Sequence, residues 1–126
     1  MTDQAGRSQG IPDIAKVFAL PGPMEYLQPS PGGTVEFTVL KFQVGKATIR
    51  PIGQPQKEVV VLRVWVPQGD KSLYPDYWDV NQQTLIPQLL PWLQAAGGRP
   101  LRFRIMRFGT GPSSRFSVVQ IPIPGK

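Results

Sequence analysis

Arg102, Arg104, Arg107 and Arg115 lie close together near the end of a 126-residue chain, and the tally of charges sets them apart. Residues 1–98 carry 8 Lys or Arg against 8 Asp or Glu, whereas residues 99–126 carry 6 basic residues and no acid. The whole net charge of +6 therefore arises in the last stretch. A guanidinium offers five donors in a planar fork that matches phosphate oxygens, so this cluster is suited to holding an anion. Further back, Lys46, Thr48, Arg50 and Arg63 fall on strand-like segments together with Trp65, whose ring can carry a stacked base.

Asp76 and Asp79 form the other constellation, two carboxylates three apart beside Tyr74, Tyr77 and Trp78. Such a pair can bind Mg²⁺, as a nuclease needs, but no third acid or positioned base accompanies it. Structural roles suit these residues better: Trp78 and Val80 closing one end of a barrel, Tyr77 shielding it, Asp79 capping a helix. The chain has no Cys and no His. Disulfides, zinc sites built from nitrogen and sulfur ligands, Ser–His or Cys–His nucleophiles and an ordinary His general acid are all excluded together. No catalytic residue, metal or cofactor is expected, and the chain reads as a binding protein rather than an enzyme.

The elements that must position these residues can be taken in order. The length suits one domain with a single core. Residues 1–23 are rich in proline and glycine and are expected to form a flexible or partly ordered arm, residues 24–121 the folded domain, and residues 122–126 a short tail. From residue 34 the chain alternates. Val35, Phe37 and Val39 oppose Glu36 and Thr38, and a phase slip near Lys41 predicts a bulge in a long, bent first strand that ends at Gly45. Residues 46–52 form a second strand. Residues 58–66 form a third, with Val60, Leu62, Val64 and Val66 facing the core and Arg63 and Trp65 facing outward. Leu85, Ile86, Leu89, Leu90 and Leu93 recur at helical spacing within residues 81–96, and Gly97 and Gly98 can end that helix. Residues 99–108 alternate again, Leu101, Phe103 and Ile105 against Arg102 and Arg104, and pair with residues 115–121 across a polar loop at residues 109–114.

Three strands, a helix between strands 3 and 4, and two more strands give a mainly β chain with the element order of a five-stranded, OB-like Greek-key barrel. A small open sandwich and a ferredoxin-like sheet are the alternatives. Tyr26-Leu27-Gln28-Pro29 through Gly33 to Phe37, Tyr77-Trp78-Asp79-Val80 before the leucine-rich helix, and the Arg102–Gly109 strand answered by Ser114 to Val118 resemble the OB-fold single-stranded-DNA-binding proteins of phages and mobile elements. The resemblance spans about residues 24–121. It implies an accessory protein that coats or guides single strands in replication or recombination, binding DNA before RNA, with a further copy of itself or a replication or recombination protein as partner. The OB ligand face over strands 2 and 3 would present Lys46, Thr48, Arg50, Arg63 and Trp65, with Arg102, Arg104, Arg107 and Arg115 extending the basic groove.

A sequence pI of about 10.1 agrees with an anionic partner, nucleic acid before a membrane surface, since no basic amphipathic helix is visible. No run approaches the roughly 20 apolar residues of a spanning helix, and the polar start lacks a signal-peptide core, so a cytoplasmic protein is expected. The second functional class is a protein-interaction or structural module of a phage or mobile element, using the proline-rich arm and exposed aromatic residues.

Overall fold

The computed structural model describes residues 12–50, 52–71, 74–110 and 114–123. The first eleven residues of the expected arm, the centre of the loop before residue 115 and the last three residues of the tail lie outside them. Six strands form among the described residues: β1 (Thr34–Val39), β2 (Lys41–Ile49), β3 (Lys57–Trp65), β4 (Tyr77–Val80), β5 (Leu101–Phe108) and β6 (Arg115–Ile121). A helix, α1 (Ile86–Ala96), stands between β4 and β5, and a 3-10 turn, Ile14–Lys16, precedes the strands. Among the described residues no helix is long and apolar enough to cross a membrane.

The strands form two antiparallel sheets of three, in the orders β1-β5-β6 and β2-β3-β4. The closed five-stranded barrel expected from the element order is not formed, and the helix lies after the fourth strand rather than the third. Two local events explain the difference. The phase slip falls at Leu40, where the chain leaves one sheet for the other while its N–H still donates to Trp65 O at 2.8 Å, so the long first strand is two strands. Residues 77–80, expected to be a barrel plug, supply the extra strand by pairing with β3 from Leu62 to Trp65.

Inward faces of both sheets share one core. Phe37 and Val39 of β1, Leu62 and Val64 of β3, Val80 of β4 and Phe103 and Ile105 of β5 meet Leu89, Leu90 and Leu93 of α1. Burying a leucine, valine or phenylalanine side chain contributes about 1.5–3 kcal/mol, so this cluster is the main source of stability. The helix starts five residues later than expected. Pro87 then falls in the first turn, where its missing N–H costs nothing, and Asp79 does not cap the helix. Pro91 stays inside on the exposed side, and Gly97 at φ 62° ends the helix in the left-handed conformation.

The outer face of the β2-β3-β4 sheet is covered by the chain's own residues 18–27. This strap begins against the edge of β2, where Lys46 N–H donates to Phe18 O (3.0 Å) and Leu20 N–H to Lys46 O (3.1 Å). It crosses the sheet and ends against β4, where Asp79 N–H donates to Glu25 O (2.7 Å) and Leu27 N–H to Asp79 O (2.9 Å). Both edges of the sheet are thereby occupied at these points. Leu20 packs on Ala47 and Val61 in a second, smaller cluster with Met24 and Val59. Gly45 lets the strap approach, because a Cβ there would lie 2.5 Å from Leu20 Cγ and 2.8 Å from Phe18 O.

Candidate nucleic-acid interface

Arg63 was expected to point outward from β3, and it does, but into the strap instead of water. Its Nε donates to Asp79 Oδ1 at 2.7 Å, one terminal nitrogen to Pro21 O at 2.6 Å, the other to Pro23 O at 3.3 Å and Asp79 Oδ2 at 3.2 Å. The guanidinium lies 3.8 Å from the centre of the Tyr77 ring, and only 2% of the residue is exposed. A buried arginine survives only when paired and hydrogen-bonded, and Asp79 with two strap carbonyls supplies those partners. Asp79 Oδ2 also accepts Glu25 N–H, so both of its oxygens are occupied and it is not open to a metal shared with Asp76.

The register separates the other members of the expected face. Lys41 stands opposite Trp65 and Gln43 opposite Arg63, whereas Lys46 stands opposite Val60 and Thr48 opposite Glu58. Side chains alternate along a strand, so Lys46 and Thr48 project to the side opposite Arg63 and Trp65. The cause is Gly45, which continues β2 instead of turning it. Lys46 forms an ion pair with Glu58 at 3.4 Å, Thr48 is exposed, and Arg50, beyond the end of β2, donates to Gln56 Oε1 at 2.8 Å. Trp65 is half-buried, edge-on to Tyr77 at 5.9 Å between centroids, with Lys41 Nζ 4.7 Å from its ring. The face expected to hold the ligand is thus filled by the strap across its middle.

Among the described residues no segment crosses the outer face of the β1-β5-β6 sheet as the strap crosses the other. Arg102, Arg104 and Phe108 of β5 fall on this outer face with Arg115 and Val119 of β6, Arg104 opposite Val119 and Phe108 opposite Arg115. Arg104 is exposed and donates from Nε to Glu36 Oε2 at 2.7 Å; Arg102 is more enclosed, held by Asp70 at 3.2 Å and by Thr38 Oγ1 at 3.1 Å. Asp70 also accepts Thr38 N–H at 2.8 Å, which ties the loop after β3 to β1. Arg107 lies in phase with Leu101, Phe103 and Ile105 and so points away from this face. It clamps Pro29 O at 2.7 Å and Ser114 Oγ at 2.9 Å. Arg115 is exposed and makes no ion pair among the described residues.

Burial raises the Tyr77 phenol above its ordinary value, with Asp79 adding to the effect and Arg63 opposing it; the O–H donates to Pro23 O at 2.6 Å. Burial and the Asp79 charge raise Tyr26 in the same way. Neither phenol is a candidate acid or base near neutral pH, and both serve the strap.

Sequence reasoning left one feature open and missed another. The open one is the strap, expected only as a flexible or partly ordered arm running into the domain, because its residues lack any sustained period. The other is a cavity of about 440 Å³ at the joint between the sheets, walled by Leu40, Val66, Pro67, Gln68, Lys71, Tyr74 and Asp76, with Tyr74 87% exposed. Compared with protein-family models, curated proteins and solved structures, the chain matches none of them.

Proposed function

We propose that this chain binds single-stranded nucleic acid, DNA before RNA, and performs no catalysis. The observation that carries this reading is how its acids are used. Glu25, Glu36, Glu58, Asp70 and Asp79 are each engaged by Lys71, Arg102, Arg104, Lys46 or Arg63. Lys16, Lys41, Arg50, Lys57, Arg99 and Arg115 remain exposed without a carboxylate partner among the described residues. Against these six cations only Asp13 and Asp76 lack an ion-pair partner among the described acids, so the uncompensated surface charge is mainly positive, where phosphates reach it.

The outer β1-β5-β6 face is the binding surface in this reading. Arg104 and Arg115 hold phosphates there, and Phe108, 49% exposed, offers a ring for a base. The connectivity supports an OB-like architecture. Taken as one strand that changes sheets at Leu40, β1 and β2 pair with β3 and β5, leaving β3 paired with β4 and β5 with β6. Counted so, the order is strand, strand, strand, helix, strand, strand, which is the order of a partly open Greek-key barrel and supports this reading.

Fluorescence anisotropy with labelled oligothymidine, its duplex and matched RNA at two salt concentrations tests the proposal. Single-strand preference with affinity falling steeply as salt rises is the expected result. Absence of binding at low salt would overturn it and favour a protein-interaction module. Trp92 favours that second reading: 47% exposed on α1, it borders a groove of about 350 Å³ with Ala95, Leu101 and Arg99. Salt-tolerant capture of a protein partner would be its signature.

A further inference from the structure

The cavity beside Tyr74 has a use that rests on the nucleic-acid reading, and its construction narrows the ligand. Its volume, about 440 Å³, falls within the roughly 300–1,000 Å³ of small-molecule sites. Leu40, Val66 and Pro67 give it apolar walls, and Tyr74 stands beside them with most of its ring in water. A flat, largely uncharged ligand that stacks on the ring and covers the aliphatic side chains removes this apolar area from water. Nucleobases have that shape.

Position links the cavity to the charged surface. The loop that supplies Pro67 and Gln68 also supplies Asp70, which holds Arg102 and Thr38 at the end of the β1-β5-β6 face. On the other side Leu40 is followed by Lys41, which lies over Trp65. A strand passing Arg104 and Arg102 toward Lys41 would cross the mouth of the cavity with cations before and after it.

The polar groups select among bases. Lys71 and Asp76 both line the cavity; the Lys71 ammonium is engaged by Pro75 O at 2.7 Å and Glu25 at 3.5 Å, whereas the Asp76 carboxylate accepts no hydrogen bond and makes no ion pair among the described residues. An ionised carboxylate accepts only, through two oxygens side by side. Guanine presents two adjacent donors, N1–H and the exocyclic amine, on its pairing edge. Cytosine and adenine present one amine beside an acceptor, and thymine one N–H between two carbonyls, which a carboxylate repels. The Gln68 side-chain amide can donate its N–H to O6 or N7 of that purine, both of them acceptors. We propose that this cavity is a guanine pocket, with Tyr74 as its stacking platform and Asp76 as the group that reads the base.

The test compares oligothymidine with the same oligonucleotide carrying one central guanine, by anisotropy, alongside a titration with guanosine 5′-monophosphate followed through the Val66 and Asp76 amide resonances. The expected result is a preference of about tenfold for the guanine-containing strand. Tyr74→Ala should weaken binding of that strand about tenfold while Tyr74→Phe retains it, and Asp76→Asn should remove the preference. Binding of both strands with equal affinity, unchanged in Tyr74→Ala and Asp76→Asn, would overturn the pocket and leave the binding surface standing. Amide shifts with the mononucleotide but no binding of either strand would keep the guanine pocket, as a site for a free nucleotide, and overturn the single-strand reading. Silence in both arms would overturn both.

Discussion

Arg63 shows how one side chain can have the right charge and still be withdrawn from solution. Its guanidinium joins β3, β4 and the strap, and its partner Asp79 is fully buried. Removing one member of such a pair strands the other, which costs about 3–5 kcal/mol. Asp79→Ala is therefore expected to lower stability by that order in urea denaturation. The double change Arg63→Met with Asp79→Leu should recover only part of the loss, because the Pro21 and Pro23 carbonyls and Glu25 N–H also lose their partners. Tyr77, stacked on Arg63, gives a pH prediction. Its phenol is raised above 10.0 in the folded chain, so its contribution is complete below the unfolded value and is lost as pH rises through the folded one. Urea midpoints should fall on the alkaline side of about pH 10, and less steeply in Tyr77→Phe.

At the scale of elements, the strap is what distinguishes the two sheets. Four backbone hydrogen bonds and the small Leu20 cluster fix it across the β2-β3-β4 face, while among the described residues the β1-β5-β6 face has no such cover. Its closest approach is at Gly45, where two of the atoms a Cβ would meet belong to Leu20 and one is backbone. The backbone oxygen cannot swing aside. Gly45→Ala should cost about 1–3 kcal/mol, the usual range for overpacking, and should speed hydrogen exchange at the Leu20 and Lys46 amides more than in β5. Equal exchange across both sheets would show that the strap is not an independent unit. The break at Leu40 acts at the same scale, since it gives each half of the long first strand to a different sheet.

For the whole molecule, the division of cations matters more than their number. Arg102 and Arg104 share Glu36, and Arg107 is spent on a clamp between residue 29 and the start of β6, whereas Arg115 stands clear. In the nucleic-acid reading, Arg104→Gln and Arg115→Gln should each flatten the dependence of log affinity on log salt by about 0.7, one single-strand phosphate contact apiece. Arg107→Gln should lower the urea midpoint and leave that slope alone. Anisotropy over a salt series, with denaturation run in parallel, separates the two behaviours. A slope unchanged in Arg104→Gln and Arg115→Gln would remove this face from the interface.

The sequence by itself determined what local chemistry can carry. Alternation along residues 34–39 and 101–108 marks strands because one face of each must leave water, the Val-rich run at residues 58–66 marks a strand by its β-branched residues, and the leucines before Gly97 mark the helix by their spacing. The absence of Cys and His and the acid-free end of the chain are likewise legible without coordinates. Only the tertiary structure decided which outward face is open. Lys46 and Arg63 share a face if Gly45 turns the chain and lie on opposite faces if β2 runs through it, and a one-residue change of phase reverses every side chain. The strap was invisible for a related reason. Its hold comes from carbonyls and N–H groups that every residue possesses, and their partners, Lys46, Arg63 and Asp79, are brought to it by folding rather than by spacing.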